Sequence, residues 1–147
     1  MADLSEAWKA IADKLAADST LTDLLGGVTE IYVGREISRE ITPPSVRLWC
    51  LDDGLNGKSS AYGYFEPRLQ IDIFAVTVRE QEQIKSRLDV LLEIPRSVPA
   101  GMTVSGFDLK SMRRVSGMHV GKINIKSTGV LVQHMATEWN LKLAISE

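Results

Sequence analysis

The chain has little of what several large classes of protein require. It contains a single cysteine, Cys50, in 147 residues, so no internal disulfide can form and folding does not depend on an oxidising compartment. No apolar run approaches the roughly 18 residues of a membrane-spanning helix, and the charged residues near the start of the chain are unlike a signal peptide. The sequence therefore predicts a protein that is made in the cytoplasm and has no membrane segment.

The short motifs that carry much enzyme chemistry are also missing. We find no phosphate-cradling glycine loop, no nucleophile elbow and no dinucleotide-binding fingerprint. His119 and His134 have no cysteine or carboxylate at metal-ligand spacing, and no base lies beside Cys50 to activate it. We therefore expect no enzyme activity, no cofactor and no metal site, and we expect Cys50 to be a buried structural thiol. Carboxylates far apart in sequence can still meet in the folded chain.

A surplus of positive charge is absent as well. The 17 lysines and arginines are outnumbered by 19 aspartates and glutamates, which gives a net charge of −2. This balance argues against a general nucleic-acid binder, although it leaves room for a local basic patch. The length and the hydrophobic content of 44% predict one globular domain over residues 1–147.

The clearest structural pattern is a strand that runs into a helix. Residues 68–75 alternate, with Leu69, Ile71, Ile73 and Ala75 on one face and polar side chains on the other. Thr77 and Glu80 then form a capping-box pattern, which marks the start of a helix. An apolar stripe follows at helical spacing and Pro95 stops it: Ile84, Leu88, Leu91 and Leu92. This stretch predicts a helix that packs on a half-buried strand.

The rest of the chain completes a two-layer pattern. Residues 4–17 form an apolar helical stripe, and a short helical turn over residues 20–25 is ended by Gly26 and Gly27. We expect strands at 28–33, 45–51, 107–115 and a long one after His134. The predicted fold is α+β, with a mainly antiparallel sheet packed against an N-terminal helix and a central helix. Trp49 and Leu51 fall on the second face of their strand, which suggests that this face is also covered, for example by another subunit.

Two long loops are candidates for partner contacts. The first, residues 52–64, carries Lys58, Tyr62 and Tyr64, and exposed tyrosines suit a protein interface, although they can equally fold back on the sheet. The second, residues 116–129, lies in the most basic part of the chain, which holds Arg113, Arg114 and Lys122. This basic part can face an acidic partner, DNA in a channel, or solvent. The negative net charge favours protein over DNA.

The order of these patterns resembles one known family. The segments LTDLLGG and VTEIYVG precede a Pro-Pro-Ser-Val strand entry, and a glycine-rich loop leads to RLQIDIFA with its amphipathic helix. The pair Thr128-Gly129, then His134, opens the long closing strand. Over nearly its whole length the chain resembles the tail-completion, or tail-terminator, proteins of long-tailed bacteriophages and prophages.

The resemblance implies a structural role in a virion. Members assemble as rings, typically of six subunits, that cap the tail tube at the head-tail junction and present a surface to the head-side connector. The implied partners are the chain itself, the tail tube protein, the connector or head-completion protein, and DNA that passes through the channel. No catalytic residues follow from the family. The alternative is a stand-alone α+β ligand-binding or regulatory domain with a pocket between sheet and helices, which the same elements would build.

Overall fold

A computed structural model of the protein describes residues 5–27, 30–34, 43–52, 64–92, 104–125 and 130–145. Within these ranges the chain forms three helices and six strands, which confirms the predicted α+β fold. The helices are α1 (Ser5–Ala16), α2 (Ser19–Leu25) and α3 (Val78–Leu92). The strands are β1 (Ile31–Val33), β2 (Ser45–Asp52), β3 (Tyr64–Phe65), β4 (Arg68–Ala75), β5 (Phe107–Ile125) and β6 (Val130–Ile145).

All six strands belong to one sheet, in which β1, β2, β4 and β6 are successive neighbours. β1 runs parallel to β2, and every other pairing is antiparallel. Residues 133–140 of β6 pair with β4 on one side and with β5 on the other. The short β3 continues along the β4 side of β6, where Tyr64 pairs with Ala144. Among the described strands only β6 pairs with three others, so it is the strand on which the sheet is assembled.

The predicted strand and helix at the centre of the chain are confirmed. β4 spans Arg68–Ala75, and its Leu69, Ile71 and Ile73 are fully buried. At the start of α3 the Glu80 amide donates a hydrogen bond to Thr77 Oγ1 at 3.1 Å, and Glu80 Oε1 accepts one from the Val76 amide at 3.1 Å. This capping satisfies two amides that a helix start would otherwise leave unpaired.

The second predicted loop is wrong. Residues 116–125 are part of β5, which is 19 residues long and pairs with β6 from Phe107 to Ile125. Residues 126–129 of the predicted loop lie outside the described residues. The register shifts at three places, between 109 and 111, 114 and 116, and 119 and 121. Such shifts mark bulges, which insert an extra residue and let a strand with poor alternation stay paired. Gly117 and Gly121 therefore lie within a strand and not in turns.

The same bulges explain a wrong assignment of faces. A strict period of two residues predicts that Phe107, Leu109, Arg113 and Val115 share one side of this strand, together with Ser111. The first register shift reverses the alternation, so Phe107 and Met112 are buried while Arg113 and Val115 are exposed. Side chains alternate between the two faces of a regular strand, but this alternation is not kept across a bulge, where one extra residue is inserted.

The three helices pack on one face of the sheet and form the core with it. Fully buried side chains come from every helix and from the central strands: Ile11, Leu15, Leu21, Leu25, Leu48, Leu69, Ile71, Ile73, Ile84, Leu88, Trp139 and Leu141. The observed α1 and α2 lie within one residue of their predicted ends, and Trp8 packs half-buried against this core. Gly26 ends α2 with a left-handed φ of 80°, a conformation that glycine adopts without steric cost.

A charged contact joins α2 to α3. Asp18 accepts a hydrogen bond from the Leu21 amide at 2.8 Å and so caps α2, and both its oxygens accept from Arg87 of α3. The pKa of Asp18 is lowered, first of all by the hydrogen bond from Arg87. One carboxylate thus fixes the start of α2 and its position beside α3.

We predict that Leu88→Ala lowers the free energy of unfolding by about 2–5 kcal/mol, because it leaves a cavity where α3 meets the sheet. Chemical denaturation measures this loss. Val90→Ala on the same helix is the matched control, since Val90 is 46% exposed and its truncation should change stability by no more than about 0.5 kcal/mol. Equal losses in the two variants would show that α3 is not docked through Leu88.

Candidate interaction surface on the outer face of the sheet

The sheet has a second face, opposite the helices, which we call the outer face. Strand register sets its side chains in rows across β2, β4, β6 and β5. One row joins Arg47 and Asp72 on β2 and β4, and another joins Arg68, Asn140 and Arg113 on β4, β6 and β5. The outer face therefore has two regions that differ strongly in their solvent exposure.

The region around Asp72 is largely buried, although it contains charged groups. Asp72 has no exposed surface and Phe74, the next outer-face residue of β4, has 1%. His134 of β6 stacks on Phe74 with ring centroids 4.7 Å apart. The Arg47 guanidinium lies 5.8 Å from the ring centroids of both Trp49 and Phe74, within the range of a cation–π contact.

Asp72 is the centre of a hydrogen-bond network that joins three strands. Its Oδ2 accepts from Arg47 Nε at 3.0 Å, from Arg47 Nη2 at 2.7 Å and from Trp49 Nε1 at 2.8 Å. Its Oδ1 accepts from Gln70 Nε2 at 2.6 Å and lies 2.8 Å from His134 Nε2. Because a carboxylate only accepts, His134 must carry its proton on Nε2. Both oxygens of the Asp72 carboxylate therefore have hydrogen-bond donors.

This network keeps a buried carboxylate charged. Burial alone raises the pKa of Asp72, because a charge is costly to remove from water. The hydrogen bonds from His134, Arg47, Gln70 and Trp49 outweigh burial, so the pKa is lowered overall. The charged form of Asp72 therefore stabilises the folded protein at neutral pH.

Sequence reasoning missed this network. The alternation of β4 predicts only that Asp72 lies on the polar face of that strand, and the apolar residues on the second face of β2 suggest a cover, for example another subunit. The structure gives an internal reason, since Trp49 is half-buried and donates to Asp72. Within β4 no local pattern distinguishes Asp72 from Arg68 and Gln70, which lie on the same face. Its partners, Arg47 and His134, lie 25 and 62 positions away in sequence, so only the fold brings them together.

The other end of the outer face is open and cationic. Arg113, Asn140 and Lys142 are exposed there, and the Arg68 side chain is 49% exposed. Arg68 Nη1 donates to Glu138 Oε1 at 3.0 Å. These side chains surround a cleft of about 310 Å³, together with Leu141 and Glu66. The exposed end can bind anionic groups, because guanidinium and ammonium groups donate strong hydrogen bonds to carboxylate or phosphate oxygens.

The structure separates the predicted contact residues. Arg113 is exposed on the outer face, but Arg114 lies on the helical side, where its Nε donates to Asp89 of α3 at 2.8 Å. Lys122 lies within β5, where it pairs with Gln133, and not in a loop. Tyr64 belongs to β3 and not to the preceding loop. Lys58 and Tyr62 lie outside the described residues.

Other features of the described residues are unremarkable chemically. Cys50 is half-buried in β2, not fully buried as we predicted. No three histidine, cysteine, aspartate or glutamate side chains come together as metal ligands within the described ranges. None of the described helices has both the length and the apolar character to cross a membrane. In the part of the chain that is described, the residues between helices and sheet form a mainly apolar core that also buries Gln81 and Thr137, while the polar clefts lie on the outside.

We predict that Asp72→Asn lowers the free energy of unfolding at neutral pH by about 3–5 kcal/mol, because Arg47 loses its buried counter-charge. An asparagine also points an N–H₂ group at one of the donors. Asp108→Asn, which changes an exposed carboxylate of β5, is the control and should be nearly neutral. Denaturant unfolding of both variants measures the difference, and a neutral Asp72→Asn would mean that the network contributes no net stability.

Comparison with known proteins gives a match in fold. No family model and no curated protein matches the chain. Among solved structures the chain is similar to a chain of the "Virion of native gene transfer agent (GTA) particle", with a TM-score of 0.63 over 92% of both chains and 12% identical residues. At that identity the likeness concerns the fold alone. The protein therefore shares its fold, over nearly its whole length, with a component of a gene transfer agent virion.

Proposed function

We propose that this protein is a structural component of a phage-type tail, which closes the end of the tail tube as a ring and offers a joining surface to the head-side connector. The observation that carries the proposal is the fold shared with a chain of a gene transfer agent virion over 92% of both chains. The order of sequence segments, which resembles that of tail-terminator proteins, supports the same function. We propose no catalytic role.

The proposed partners are those of a ring subunit. The chain, as one unit of residues 1–147, would bind copies of itself, six in a closed ring, as well as the tail tube protein and a head-side connector or head-completion protein. It would be made in the host cytoplasm and end in the virion at the head-tail junction. DNA would pass through the ring, but the net charge of −2 favours protein as the bound partner.

The geometry of β5 suits contact between neighbouring subunits. Among the described strands β5 pairs only with β6, and beyond the bridge between Val104 and Phe107 no described residue forms a ladder along its other edge. Unpaired strand edges are sites where a second chain can bind. Val115 is 54% exposed on this strand. We retain Lys58, Tyr62, Tyr64, Arg113, Arg114 and Lys122 as candidate contacts, of which Arg114 is also paired with Asp89.

We predict that native mass spectrometry at rising protein concentration detects a closed oligomer of one size, six subunits, and that electron microscopy shows it as a ring, free or on the ends of tail tubes. Burial of subunit surface favours one closed stoichiometry, because a ring satisfies every interface. A protein that stays monomeric throughout and does not bind tube ends contradicts the proposal.

A matched pair of variants locates the interface. Val115→Asp places a charge beside the free edge of β5 and should raise the concentration needed for ring formation by about tenfold or more, which corresponds to about 1.4 kcal/mol. Val90→Asp makes the same change at a 46% exposed position of α3 and should leave the ring intact. If the two variants weaken the ring equally, β5 is not the interface.

A further inference from the structure

The exposed end of the outer face brings together positive side chains from three adjacent strands. Register places Arg68 of β4 and Arg113 of β5 on either side of Asn140 of β6. Neighbouring strands are about 4.8 Å apart, so the two arginine backbones are separated by about 10 Å. Lys142 lies two residues along β6 on the same face, about 7 Å from Asn140. We call this group, Arg68, Arg113, Asn140 and Lys142, the cationic cleft.

The cationic cleft is accessible and is only partly neutralised by the chain itself. Arg68 is paired with Glu138, whose side chain is 26% exposed. Arg113 makes no ion pair with any residue that the structure describes, and it is exposed. The side chains of Arg68 and Arg113 lie on both sides of the Asn140 amide. All three can donate hydrogen bonds to one anionic group.

We infer that the cationic cleft binds carboxylate side chains of an acidic segment of another protein. Arg68 is paired with Glu138 at 3.0 Å, so Arg113 is the cation that a carboxylate of the partner would bind first. The cleft of about 310 Å³ has room for one or two short side chains. The inference extends to any acidic partner and does not depend on ring formation.

Carboxylates fit this surface better than a nucleic-acid backbone does. Glu66 borders the cleft, and Glu138 and Asp108 lie on the same face nearby. These carboxylates repel phosphates, which a nucleic-acid backbone holds at fixed spacing, whereas a flexible acidic side chain of a peptide can enter between them. Proteins that bind nucleic acid through its backbone generally present an extended basic surface, which a net charge of −2 and an isolated cleft do not provide.

The test is binding of two labelled probes of equal charge, an oligoglutamate peptide and an oligothymidylate, to the full chain, measured by fluorescence anisotropy at low salt. We expect the peptide to bind more tightly than the oligonucleotide and to weaken as salt is added. Arg113→Glu should reduce peptide affinity by about tenfold or more, because it replaces a donor with a repelling charge.

Arg79→Glu is the matched control, since it makes the same change of charge at an exposed position near the start of α3, on the helical side of the sheet. It should alter peptide affinity by less than about twofold, and circular dichroism should show both variants folded. Three results overturn the inference: no peptide binding by the unmodified chain, equal losses in the two variants, or tighter binding of the oligonucleotide. The last result would assign the cleft to nucleic acid instead.

Discussion

The outer face of the sheet depends on one buried charge, that of Asp72. Its carboxylate lies on β4 and is bonded by Arg47 of β2 and by His134 of β6, so a single side chain joins three strands. A shift of one residue in either pairing would move a partner to the other face and leave the charge buried without a donor. Apolar packing against the helices favours the same register on the opposite face, where Ile71 and Trp139 are fully buried. The two faces therefore specify one alignment together.

This arrangement divides the outer face into a closed region and an open one. Near Asp72 the charged groups satisfy one another and are shielded by Phe74 and Trp49, so they offer little to a partner. Toward Arg113 and Asn140 the side chains are exposed, and positive charge remains available. A protein that acts through its surfaces benefits from such a division, because the closed region holds the strands that position the open one.

The sequence predicted the elements with regular periods and missed what depends on inserted residues or distant partners. β4 was predicted to its ends, and α3 was predicted from its cap and stripe, because a period of two and a period of 3.6 are local properties. The sequence predicts a loop beyond residue 115 of β5, because three bulges and two glycines interrupt the alternation of apolar and polar residues. The separation of Arg113 from Arg114 follows from alternation, but the Asp89 partner of Arg114 lies on another element and has no local signal. The burial of Asp72 likewise arises only when β2, β4 and β6 meet.

The most direct test of this account compares unfolding of the unmodified chain and Asp72→Asn between pH 7 and pH 2. The pKa of Asp72 is lowered from 3.8 in the folded state, so the unfolded chain takes up the proton first as pH falls. Asp72 therefore contributes its full stabilisation above about pH 5, and loses it as pH falls through its folded pKa. Other carboxylates titrate in both proteins and cancel in the difference. The account predicts a stability gap that is large at neutral pH and shrinks steadily below pH 4; a gap that is absent, or that stays constant to pH 2, would contradict it.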